Sequence, residues 1–70
     1  MNIKEDLLRK LYDNLYYLER DLNSMIQLET VLYSIRISNV ESLLEKIAIV
    51  KLKIELVERY IPVNNEETNE

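Results

Sequence analysis

The chain of 70 residues has no Cys, no His and no Gly, so it forms one small domain without disulfides or histidine-containing metal sites. Hydrophobic residues make up 47% of the sequence, which argues against disorder, but no apolar run approaches the length of a membrane span. The net charge of −4 provides no long-range attraction to nucleic acid. Because a domain of this size buries little surface by itself, we expect it to self-associate.

The first predicted helix begins near Ile3, and its first turn carries two acidic residues, as the helix dipole favours. An apolar stripe follows at steps of three and four residues, formed by Leu8, Leu11, Leu15, Leu18 and Leu22. Two successive three-residue steps, to Met25 and Leu28, then shift this stripe beside the weak helix formers Asn23-Ser24. We expect one helix over residues 3–36, continuous or mildly bent at that point, with a meeting of two helices as the alternative.

A turn is predicted at residues 37–39, where Ser38 and Glu41 have the spacing of a capping box for a second helix over 39–61. This helix has an uninterrupted stripe at three- and four-residue steps: Val40, Leu43, Ile47, Val50, Ile54, Val57 and Ile61. The single Pro, Pro62, ends it. Residues 62–70 carry three acidic groups and no basic ones, and they are predicted to be a disordered tail after the hairpin domain 1–61.

The second helix is apolar on its opposite side as well, through Ile49, Leu52, Leu56 and Tyr60. One neighbouring helix cannot cover both sides, so this pattern predicts packing against another copy. With a turn at 37–39, the N-terminal residues Leu7, Leu8 and Leu11 would also overhang and require a second hairpin. The sequence therefore predicts an all-α antiparallel hairpin that assembles into a dimeric helical bundle.

A competing interpretation is an α+β fold with a short C-terminal strand pair. Residues 50–56 alternate between apolar and polar with a period of two, and residues 31–37 do so in part. No tight-turn dipeptide separates the two runs, and the long helical stripe outweighs them.

Catalytic constellations are nearly absent from the sequence. There is no His or Cys to act as a base or thiolate, and no glycine-rich loop to hold phosphate. Glu41 and Glu45 share a helix face, but solvated carboxylates are the simpler interpretation. We expect no enzyme activity, no metal and no cofactor, with a helical enzyme that holds an anionic substrate through Arg and Lys as a remote alternative.

One flank of the first helix combines aromatic and basic residues: Arg9, Tyr12, Tyr16 and Arg20, with Tyr17 further round. Tyr and Arg are enriched in binding hot spots because each offers a large area and a polar end. The flank is interpreted as part of the oligomer contact or as the binding site of another protein. Stacking on unpaired RNA bases is the less favoured interpretation, since acidic residues lie nearby.

These observations predict a non-enzymatic, self-associating interaction module, such as an adaptor, inhibitor or assembly factor. A nucleic-acid-binding regulator that resembles the Rop hairpin dimer in shape is the alternative, although no motif supports it. The N-terminus lacks the apolar stretch of a signal peptide, so we expect a cytoplasmic protein without a membrane partner.

Overall fold

The computed structural model describes residues 2–63, which form a hairpin of two antiparallel helices. Helix α1 spans Ile3–Gln27 and helix α2 spans Tyr33–Tyr60. The helices pack against each other, and no strand occurs within residues 2–63. The all-α hairpin is thus confirmed, and the α+β alternative is wrong because the run 50–56 lies inside α2.

The connection between the helices lies at residues 28–32, seven to nine residues before the predicted turn at 37–39. Helix α1 ends at Gln27 instead of residue 36, and it passes through Asn23-Ser24 without a break. Ser38 and Glu41 lie inside α2, so the predicted capping box does not start a helix. The boundaries predicted for both helices at this turn are therefore wrong.

No residue from 2 to 63 has a positive φ, so the connection reverses the chain without a left-handed residue. Leu28 and Leu32 at its two ends are close to extended, with φ and ψ of −71° and 128°, and −53° and 140°. The Leu28 N–H donates to the Ser24 carbonyl oxygen at 3.1 Å. The Arg36 guanidinium donates to the Leu28 carbonyl oxygen and satisfies a backbone acceptor that the end of α1 leaves free. A side chain in α2 thereby caps α1.

The connection divides the hairpin into two helices of similar length. At 25 and 28 residues, α1 and α2 are each about 40 Å long, so they can pair along their entire lengths. The apolar stripe of α1 continues to Met25 and ends there with the helix. The double three-residue step at Leu28 thus marks the helix end and not a change of phase.

The core lies at the middle of the interface between the helices. Ile47, Val50 and Ile54 are the buried residues among those described. The remainder of the α2 stripe, with the leucine stripe of α1, is half-buried. Both predicted stripes thus face the hairpin interior, and we call them the inner seam.

Both chain ends of the described hairpin lie together. The Asn2 side chain accepts from the Glu5 N–H at 3.2 Å, which caps α1, and its Nδ2 donates to the Val63 carbonyl oxygen at 2.6 Å. Lys4 Nζ donates to the Glu58 carbonyl oxygen at 3.3 Å. Pro62 follows the end of α2 as predicted, and residues 64–70 of the predicted tail lie outside the described part of the chain.

Candidate interaction surfaces

An open groove of about 360 Å³ lies between the helices near the connection. Its charged residues, Asp21 and Lys46, are both exposed to solvent, so the groove lacks a desolvated acid–base pair. Within residues 2–63, no three acidic side chains lie close enough to hold a metal ion. Glu41 and Glu45 are exposed on α2.

Helix α2 carries a second stripe on the side opposite the inner seam. Its members follow four- and three-residue steps and are all exposed: Glu45, Ile49, Leu52, Leu56 and Arg59. We call these residues the outer seam. At its centre, the side chains of Ile49, Leu52 and Leu56 are 46%, 53% and 40% exposed. The spacing is that of a heptad a/d repeat, which usually faces a partner helix.

The predicted self-association residues lie on different surfaces of the hairpin. Ile49, Leu52, Leu56 and Tyr60 point away from α1 and are exposed. Leu7 is also exposed, near the chain ends. Leu8 and Leu11, however, belong to the inner seam and are half-buried, because α2 runs alongside the first turns of α1. The predicted overhang of this segment is therefore wrong.

The aromatic–basic flank of α1 forms a compact exposed group. The Tyr16 and Tyr17 rings meet edge to face with their centroids 5.2 Å apart. The Arg20 guanidinium carbon lies 5.0 Å from the centroid of the Tyr17 ring, in cation–π range. Tyr12 is 49% exposed beside them. We call Tyr12, Tyr16, Tyr17 and Arg20 the tyrosine flank.

Arg9 is separate from this group in its contacts. Its guanidinium lies 3.3 Å from an Asp6 carboxylate oxygen in the preceding turn of α1, and both side chains are well exposed. The structure therefore brings together three of the five predicted partner-binding residues by direct contact, and it directs the charge of Arg9 toward Asp6.

Two further Arg–Tyr contacts occur on α2. Arg36 lies over the Tyr33 ring at 5.6 Å, and Arg59 lies over the Tyr60 ring at 5.9 Å. The first repeats the three-residue spacing of Tyr17 and Arg20, and this spacing is visible in the sequence. Arg59 also pairs with Glu55, 2.6 Å away. These contacts hold otherwise flexible arginine side chains against the helix surface.

The helical spacing places Tyr16, Tyr17 and Arg20 on the side of α1 away from the inner seam, with Tyr12 beside it, and the outer seam on the corresponding side of α2. These two outer sides are the edges of the hairpin. The α2 edge is aliphatic at its centre, whereas the α1 edge is aromatic and polar. A protein bound at one edge would leave the other accessible.

No known family model, curated protein or solved structure matches the chain. Neither α1 nor α2 is apolar over a stretch long enough to cross a bilayer.

Proposed function

We propose that this protein is a non-enzymatic interaction module that works as a self-associated helical bundle, most simply a dimer of hairpins. The balance between buried and exposed apolar residues carries this proposal. Three residues are buried, while seventeen large hydrophobic side chains are exposed among residues 2–63. A second copy covering the outer seam would add the packing layer that a pair of helices lacks.

The size of the hairpin supports the same proposal. Its radius of gyration is 16.6 Å, against about 11 Å for a compact domain of this length. An elongated hairpin exposes a large share of its apolar surface, and the sequence has no cysteines for disulfides. Association with another copy is the remaining common way to stabilise so small a chain.

The tyrosine flank is the surface that we propose for a second protein. Association through the outer seam would leave this flank at the far edge of each hairpin. Its exposed rings and the Arg20 guanidinium suit a protein surface that offers apolar side chains and a carboxylate. The module would then act as an adaptor with one binding edge per copy.

The nucleic-acid alternative remains a prediction that no specific contact favours. Arg9 pairs with Asp6, and Asp13 lies on the same side of α1 as the tyrosine flank. RNA binding that weakens steeply as salt rises would support that alternative.

The proposal is tested by placing charges in the outer seam with the double substitution Ile49→Glu and Leu56→Glu. The matched control is Ser34→Glu with Ser38→Glu, which adds the same charge at exposed polar positions of α2. We expect the wild type and the control to be dimers by light scattering. The outer-seam variant should have the mass of a single chain, or lose helical circular dichroism if folding depends on association.

An outer-seam variant with the same mass as the wild type would contradict the proposal. The wild type offers a second measurement, because the thermal midpoint of a dimer rises with protein concentration. A midpoint that stays constant over a hundredfold range of concentration would contradict it as well.

A further inference from the structure

We infer that the two copies meet through antiparallel α2 helices, with Leu52 at the centre of the contact and Glu45 of each copy paired with Arg59 of the other. This inference rests on the proposed self-association and specifies its geometry. It follows from the order of residues along the outer seam.

The outer seam is symmetric about Leu52. Ile49 lies three residues before Leu52 and Leu56 lies four residues after it, while Glu45 and Arg59 lie seven residues away on either side. An antiparallel arrangement centred within one helical turn of Leu52 therefore places Ile49 near Leu56 of the second copy. The aliphatic centre of one seam then covers that of the other.

Charge selects the antiparallel direction. In a two-fold contact of this kind, Glu45 of each copy lies near Arg59 of the other, so opposite charges flank the aliphatic centre on both sides. A parallel arrangement would instead place Glu45 beside Glu45 and Arg59 beside Arg59. Arg59 is already held along α2 by Glu55 at 2.6 Å, and its remaining donors are available to a second carboxylate.

The composition of the outer seam also limits the length of the contact between the two copies. Beyond Glu45 toward the connection, the same stripe continues through the polar residues Ser42 and Ser38, both exposed. The aliphatic part spans about two helical turns, and the charged residues mark its ends. A seam of this kind specifies both register and direction, as charged flanking positions do in coiled coils.

Exchange of the two charges tests the direction. Glu45→Arg and Arg59→Glu should each weaken dimerisation about tenfold at low salt, because each turns two attractive contacts into repulsive ones. The double variant should restore dimerisation to nearly the wild-type level. A double variant as weak as the two single effects combined would overturn the inference.

Crosslinking tests the register with single cysteines in a chain that has none. Leu52→Cys should give a covalent dimer with a short bismaleimide. Leu44→Cys is the control, because Leu44 is 50% exposed and Leu52 is 53% exposed, yet Leu44 lies off the outer seam. If the wild type is monomeric, the proposed self-association fails. If it is dimeric and the two variants crosslink equally, only this inference fails.

Discussion

Helices α1 and α2 both contribute to the inner seam, whose three buried residues all belong to α2, but they differ on their outer sides. Away from the seam, α1 presents tyrosines, an arginine and acidic residues, whereas α2 presents the aliphatic residues Ile49, Leu52 and Leu56. Both outer sides are exposed in the single hairpin. Pairing of the two helices therefore leaves more aliphatic surface in water on α2 than on α1, and aliphatic side chains gain the most from leaving water.

The two edges suit different kinds of contact. An aliphatic edge with symmetric charges suits permanent contact with an identical copy. An edge of Tyr and Arg suits a contact that forms and dissociates, because such side chains tolerate water when the partner is absent. We propose that α2 holds the assembly together and that α1 carries the recognition surface.

The largest expected effect comes from the inner seam, on which both helices depend. Ile54 is 7% exposed, so Ile54→Ala should lower the free energy of unfolding by about 2–4 kcal/mol through lost burial and a cavity. Urea titration followed by circular dichroism measures it. Leu44→Ala, at a half-exposed position, is the control and should change stability by less than about 0.5 kcal/mol. Equal losses would mean that Ile54 is not in the core.

A smaller effect is expected where the two helices are joined at the chain ends. Asn2→Ala removes the cap of α1 and the bond to the Val63 carbonyl, and should destabilise the protein by about 1 kcal/mol. Asn14→Ala, at an exposed position inside α1, should raise stability by about 0.5 kcal/mol in the same thermal unfolding measurement, because Ala is the better helix former. An Asn2→Ala variant as stable as the wild type would show that this clamp contributes nothing.

Periodicity alone predicted both helical stripes, because three- and four-residue spacing is local information. It could not place the connection between the helices. The chain has no Gly to mark a turn. Residues 28–32 are favoured by the matched helix lengths and by the bond from Arg36 to the Leu28 carbonyl, and neither is visible in the spacing of the apolar residues. Ser38 and Asn39 are residue types that favour turns, yet both lie in α2. The free-energy cost of a polar residue inside a helix is small compared with the gain from pairing the two helices along their entire lengths.

The candidate surfaces were predictable in part. The exposed stripe of Ile49, Leu52 and Leu56 and the arrangement of Tyr16, Tyr17 and Arg20 follow from helical spacing. The overhang predicted for Leu8 and Leu11 was wrong, because it depended on the misplaced turn, and both residues lie in the inner seam. Because the turn was predicted seven to nine residues too late, the first turns of α1 were predicted to have no partner in α2.

The smallest effect on stability is expected at the tyrosine flank. Tyr16→Ala with Tyr17→Ala should alter the free energy of unfolding by less than about 0.5 kcal/mol, and it should leave the assembly intact, because both rings are exposed at the edge away from α2. Binding of a partner protein should be lost. Dissociation of the assembly in this variant would place the flank inside the contact between copies.

If a second copy covers the outer side of α2, as we propose, the wild-type protein is a dimer in solution, and its mass decides the question. Sedimentation equilibrium at micromolar concentration should give twice the chain mass of 8.4 kDa. A helical protein that remains at 8.4 kDa up to the highest concentrations would show that no second copy covers this side of α2.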